Sequence, residues 1–326
     1  MRIGPVIAVF LLLLATALAA RAEADGQAVK PAARGPKLGE PDVQKWKIGM
    51  IVSASGGPVG RLTGTTTVPM KWPEQGLTLL GKDLSPGVTI SYKSYGTATQ
   101  LIVNIPRLAE DKEVHALLTM EITRHTLLPP DETDLYVVPD VKALPPDFKQ
   151  YLGPSPLIES NHSRIKAIAK QLGEGQTKAW PHVRAIYDWV RKTIQYQKDA
   201  PLTGCLQAID QKSGDCNQLT STFIAICRAS GIPARTVRIP THCYPEFYLL
   251  DEIGRGHWFP AEVSGTEDFG GIFTHTPILQ KGDAFKITVP GKGAEVFRLL
   301  PSNLTSPNLK PGGGQPQLKL VCEPVE

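Results

Sequence analysis

The stretch from Gly214 to Pro233 constrains the fold most, because both ends of a helix are written into it. A helix is expected to begin at Asp215 or Cys216, and Gly231 with Pro233 supplies its stop. Between these, Leu219, Phe223, Ile226 and Cys227 fall on one face at helical spacing, so the helix must be buried against something. Strands are expected next, over 234–239, 242–250 and about 258–263, with Asp251, Glu252, Gly254 and Gly256 in the hairpin turn. A buried helix feeding an antiparallel sheet makes this part α+β. The helix also seats the Cys216 thiol at its start, where unpaired amides and the helix dipole favour the charged sulfur.

Upstream, the pattern divides the 326 residues further. Residues 1–22 read as a signal peptide: Arg2 is followed by an apolar run of about 15 residues and then by small residues. That run falls short of the ~20 residues needed to span a bilayer, so stable membrane insertion after cleavage is not expected. Residues 23–42, rich in Ala, Gly, Pro and Lys, read as a flexible leader. From 43 to 145, short alternating stretches such as Leu118, Met120 and Ile122 are separated by turn signals, which suggests an antiparallel β-sandwich. Residues 146–326 form the second expected domain, with its core at 155–267. Two helices open it: one capped by Ser160 or Asn161, the other carrying Trp180, Val183, Tyr187, Val190 and Ile194 as core residues.

Charge and cysteine usage narrow the functional classes. A net charge of +4 over this length, with no basic stripe interleaved with aromatics, does not call for a nucleic-acid partner. An exported protein, periplasmic or extracellular, meets an oxidising compartment. Its five cysteines (205, 216, 227, 243 and 322) are odd in number, so at least one lacks an intramolecular partner, and Cys216 is the best candidate. Cys216 and Cys227 lie about 16 Å apart along one helix and cannot pair with each other. The Cys and His spacings lack metal-ligand patterns, so no metal and no cofactor is implied.

A thiolate needs an imidazole within reach before it can attack a carboxamide. Of the seven histidines, His242, His257 and His275 follow the Cys helix, and His242 heads a strand whose alternation suits a sheet lying over that helix. Such a base needs a third group to hold its ring, and Glu262 on the next strand is placed for that role. Asp251, Glu252, Glu267 and Asp268 read as solvated turn charges. Gln207 and Trp258 are further candidates, as an oxyanion donor or a substrate wall.

The order Gly214-Asp215-Cys216 at a helix start, Ser230-Gly231-Ile232-Pro233-Ala234-Arg235 at its end, His242-x-Tyr244-x-Glu246, then Trp258-x-Pro260-x-Glu262 resembles the transglutaminase-like domain of the papain-like cysteine enzymes. The resemblance covers about 155–267. It implies Cys216 as nucleophile and His242 as base. The family's third member is usually Asp, and Glu262 stands there one methylene longer. No acidic calcium loop is present, so the calcium dependence of animal transglutaminases is not implied. The resulting expectation is cysteine-dependent acyl-enzyme chemistry on peptide or amide bonds, with a protein or peptide as substrate. Hydrolysis by a peptidase or amidase is the default and transamidation a variant of it. The alternative is an inactive binding or scaffold module at the cell surface.

Overall fold

The computed structural model describes residues 35–289, 291–307 and 314–325. The signal peptide expected at 1–22 and the leader as far as residue 34 lie outside them. Six strands come first: β1 (Lys37–Ser55), β2 (Val59–Val68), β3 (Gln75–Leu84), β4 (Thr89–Ser94), β5 (Thr99–Leu108) and β6 (Glu113–Leu128). Long alternation builds them. In β1, Ile48, Met50 and Val52 are buried every second residue, and in β6 Leu118, Met120 and Ile122 do the same. They meet Leu62, Leu101, Val103 and Ile105 of β2 and β5 in one core between two sheets. Gly49 has no room for a side chain, since a Cβ there would stand 2.0 Å from the Ala116 carbonyl oxygen across the β1–β6 pair.

The chain then becomes helical. After a 3-10 turn (Pro146–Tyr151) come α1 (Ser163–Gly173), α2 (Ala179–Thr193), the short β7 (Gln195–Tyr196), α3 (Cys205–Gln211), β8 (Ser213–Gly214) and α4 (Cys216–Ala229). Helix α4 is the axis of this part, with every residue from Gln218 to Arg228 buried. Leu219, Phe223 and Ile226 pack against Trp180, Val183, Tyr187 and Val190 of α2 and against Phe247 and Phe259 of the following sheet. That sheet has the order β11-β10-β9-β12, from β9 (Ala234–Ile239), β10 (His242–Leu250), β11 (Gly256–Pro260) and β12 (Gln280–Lys281). All of its pairs are antiparallel. The molecule is a strand-rich α+β protein. The cap of α1 is His162, whose Nδ1 accepts the Arg164 amide at 3.2 Å, while the expected Ser160 is buried just outside the helix.

Two boundaries differ from those expected. Strand β1 begins at Lys37, inside the expected leader, because its first residues already pair with Leu127 and Leu128 of β6. The far end of the chain returns to the first domain rather than completing the second. After the hairpin β13 (Phe285–Val289) and β14 (Gly293–Phe297), β15 (Asn303–Thr305) pairs with β2, and β16 (Gln315–Val325) pairs with β1. The sandwich sheets are therefore β16-β1-β6-β3 and β15-β2-β5-β4. Without β16, the long β1 would present an unpaired edge. The stretch 310–314, Lys-Pro-Gly-Gly-Gly, reads from its composition as a flexible loop, and its residues 310–313 lie outside the described residues.

Buried charges tie the two parts together. Lys281 Nζ donates to Glu74 of the first part and to Glu246 of β10, both at 2.6 Å, and Arg235 Nε donates to Glu246 at 2.8 Å. Burial by itself raises the Glu246 pKa, but Lys281 and Arg235 overcome it and hold the carboxyl at about 2. Arg228 at the end of α4 makes a two-pronged pair with Asp283 at 2.7 and 2.9 Å, both side chains being buried.

Candidate active site

The site forms where the start of α4 meets the start of β10. Local chemistry sets the helix start. Asp215 Oδ1 accepts the Asn217 amide at 2.7 Å, and Gln218 Oε1 accepts the Asp215 amide at 3.0 Å, which completes a capping box. Gly214 is needed just before it, because a Cβ there would fall 2.6 Å from the Cβ of Gln218 folded back over it. Cys216 thus occupies the first helical position with 8 % of its surface exposed. It lines a cavity of about 150 Å3 with Asn217, Arg238, Thr241, His242 and Cys243. Cys216 and His242, 26 residues apart in sequence, face this one space. Among the described residues no hydrogen bond joins them.

His242 Nε2 instead bonds Glu262 Oε2 at 2.7 Å. Glu262 lies just beyond the end of β11, in a tight loop rather than on the strand. Its second oxygen accepts the Ser264 and Gly265 amides, each at 2.9 Å, and the Ser264 hydroxyl at 3.0 Å. Arg191 of α2 pins the loop from outside by donating to the carbonyls of Glu262, Gly265 and Thr266 at 3.0–3.2 Å. The extra methylene of Glu is accommodated by that loop. Burial raises the Glu262 pKa, but the His242 bond and the loop amides outweigh it and leave it below the usual range. Burial likewise lowers His242, yet the Glu262 bond and charge prevail, so its pKa is raised.

The thiol has a neighbour to which residue spacing assigns no role. Cys243 lines the same cavity beside Cys216, and the two thiols titrate as an interacting pair. The neighbouring Cys216 thiol, with Arg298 and His242 nearby, outweighs burial and lowers the Cys243 pKa. The Cys243 neighbour, then burial, raises Cys216, where the helix start alone would have lowered it. Asn217 sits between the sulfurs, its Nδ2 at 3.9 Å from Cys216 Sγ and its Oδ1 accepting from Cys243 Sγ at 3.6 Å. Arg298 holds Asn217 in turn, donating to Oδ1 at 2.8 Å. The five described cysteines are all free thiols. Tyr196, on β7 beside the helix start and 52 % exposed, is also close to Cys216: burial, then the sulfur and Asp215, raise its phenol.

Other expectations are corrected. Trp258 lies towards the opposite end of β10, opposite Tyr248 in the register, and packs on Phe148, Tyr151 and the Arg235 guanidinium. Gln207 is exposed on α3 and does not line the cavity. Neither borders the thiol, because strand direction and helix phase carry both away from it. Asp251 is not a solvated turn charge: it is buried and accepts from the Ile253 and Arg255 amides and from His257 Nε2. The strand alternation of 242–250 hints that Cys243 faces the helix, but nothing in the sequence points to Arg298.

Residues 166–263 match the family model of the transglutaminase-like superfamily. This part of the chain is a transglutaminase-like domain. No functionally curated protein is significantly similar to the chain. Among solved structures, a candidate cysteine protease from Cytophaga hutchinsonii matches at 19% identity and a TM-score of 0.58, over 88% of this chain and 93% of that one. It shares the fold of both parts. Weaker matches are a candidate protease from Parabacteroides distasonis (12% identity, TM-score 0.28, 71% of this chain and 49% of that one) and the periplasmic domain of TgpA from Pseudomonas aeruginosa (11% identity, TM-score 0.34, 71% and 93%). Within the transglutaminase-like domain, the matched segment contains Cys216, His242 and Glu262. Among the described residues, no helix is long and apolar enough to cross a membrane.

Proposed function

We propose that this protein is a cysteine-dependent enzyme forming an acyl-thioester with peptide or amide substrates, in which Cys216 is the nucleophile, His242 the base and Glu262 the group that orients it. The observation carrying this reading is the convergence of Cys216 and His242 on one cavity, with Nε2 of the imidazole already held by Glu262. Nδ1 is then left to take the thiol proton. The sulfur attacks the amide carbonyl, and the carbonyl electron pair moves to oxygen, where the Cys216 backbone N–H stabilises it. As the C–N bond breaks, His242 passes its proton to the leaving amine. Water then attacks the thioester, giving one proton back to the sulfur by way of His242 and releasing the acid. Hydrolysis is the default, since water needs no second binding site, and an amine at the same step gives transamidation.

The apolar run within residues 1–22 supports action outside the cytoplasm, on a protein or peptide substrate. A non-catalytic module is the second reading, and the raised pKa of Cys216 is the observation in its favour. Intact-mass analysis after exposure to peptide electrophiles separates the two. A single adduct on Cys216, absent in Cys216→Ala and formed at least about tenfold faster than on the other cysteines, is expected of the enzyme. Uniform slow labelling of all five would favour the module.

A further inference from the structure

The wall of the cavity beside Cys216 carries a cation that nothing in the proposed chemistry uses. Arg238 on β9 lies opposite Cys243 in the β9–β10 register, so both side chains stand on the same sheet face. Its side chain lines the cavity with Cys216 and His242. Among the described residues no carboxylate pairs with its guanidinium and no side-chain hydrogen bond reaches it; the acidic groups near it are the thiols of Cys243 and Cys322. A second cation, Arg298, lies near it, 5 % exposed, donating to Asn217 and towards the Cys243 sulfur at 3.9 Å while its Nε has no partner. Buried or half-buried cations are ordinarily matched by an anion. The nearby carboxylates are already engaged elsewhere: Asp215 caps α4, and Glu262 holds His242 and its own loop. No carboxylate of the chain therefore takes the Arg238 guanidinium, which keeps a face open to the cavity next to the nucleophile.

The geometry points to Arg238 as a specificity residue: it binds a substrate carboxylate next to the amide that Cys216 attacks, so the substrates are acidic peptides. This inference rests on the reading of Cys216 as nucleophile. A guanidinium offers two parallel N–H groups to a carboxylate, whereas a neutral amide of the same shape can accept but carries no charge. The carboxylate could be an acidic side chain or the α-carboxylate of a chain end, and the two sources are separable.

Two measurements test it. In the first, peptidyl acyloxymethyl ketones carrying Glu or Gln beside the reactive group are reacted with the full chain, and the adduct is followed by intact mass. Cys216 sulfur bonds to the methylene carbon, the acyloxy group leaves as a carboxylate, and the thiol proton goes to buffer. The Glu probe should react about tenfold to a hundredfold faster than the Gln probe, the range of a charge-assisted contact. Arg238→Gln should collapse that ratio, and Arg238→Lys, which keeps the charge without the planar fork, should give an intermediate one. Equal rates for the two probes in the wild type, or a ratio unchanged in both variants, overturn the proposal.

The second measurement is calorimetric binding of three short acetylated peptides: Glu with an amidated end, Gln with a free end, and Gln with an amidated end. Preference for the first assigns the side chain, and preference for the second assigns the chain end. Charge-selective binding that needs Arg238, without any labelling of Cys216, would keep the subsite and sink the nucleophile. Labelling without charge preference does the reverse, and neither labelling nor selective binding overturns both.

Discussion

At the residue scale, the behaviour of the thiol is set by what touches it rather than by its place on the helix. The neighbouring Cys243 and burial raise Cys216, so removing that neighbour should release it. Cys243→Ala is expected to move the pH profile of Cys216 alkylation to lower pH, read as rate against pH by mass spectrometry. A profile that stays put or moves up would show that Cys243 does not hold the Cys216 pKa up. His242 works the other way. Its pKa is raised because Glu262 favours the charged ring, so Glu262→Gln should lower it, and a chemical-shift titration of His242 would report the change. The same substitution should slow Cys216 labelling about tenfold to a hundredfold, whereas Glu262→Asp, keeping the charge but shortening the reach, should lose less. A Glu262→Gln variant with unchanged titration and rate would remove Glu262 from the site.

At the element scale, α4 positions the sulfur and the capping box positions α4. Asp215→Ala removes the acceptor for the Asn217 amide and should cost about 1 kcal/mol, lowering the thermal midpoint. Because the first turn carries Cys216, labelling should slow as well, which loss of stability alone would not produce far below the midpoint. This helix is legible in the amino-acid sequence. Its start, its stop and its buried face follow from residue spacing, as do the strands over 234–239 and 242–250. Glu262 stands out by its position after Trp258 and Pro260, but the loop that grips its carboxylate does not, since backbone amides carry no residue signature. Trp258 and Gln207 fall away from the expected site because spacing along a strand or helix does not say which end of the element meets the thiol.

At the scale of the whole molecule, the buried Lys281–Glu246–Arg235–Glu74 cluster joins the sandwich to the transglutaminase-like domain. Glu246 sits at about 2 in the folded chain, below its ordinary 4.5. Its depressed pKa therefore contributes stability above pH 4.5, which is lost as the pH falls from there towards 2. Denaturant midpoints measured at about pH 7, 4 and 3 should fall for the wild type, and should fall less steeply for Glu246→Gln, which starts lower at neutral pH. Parallel slopes for the two proteins would exclude this cluster as a source of acid sensitivity. Periodicity and capping residues by themselves determined the buried helix, the thiol at its start and the strands that follow it, because these depend on neighbours a few positions along the chain. Only the tertiary structure decided that β16 closes the first sheet, that Cys243 stands beside Cys216, and that Arg238 faces the cavity with no carboxylate paired to it. Each of these is a meeting of residues that local pattern does not join, settled by which surfaces are buried together and which charges are left to find a partner.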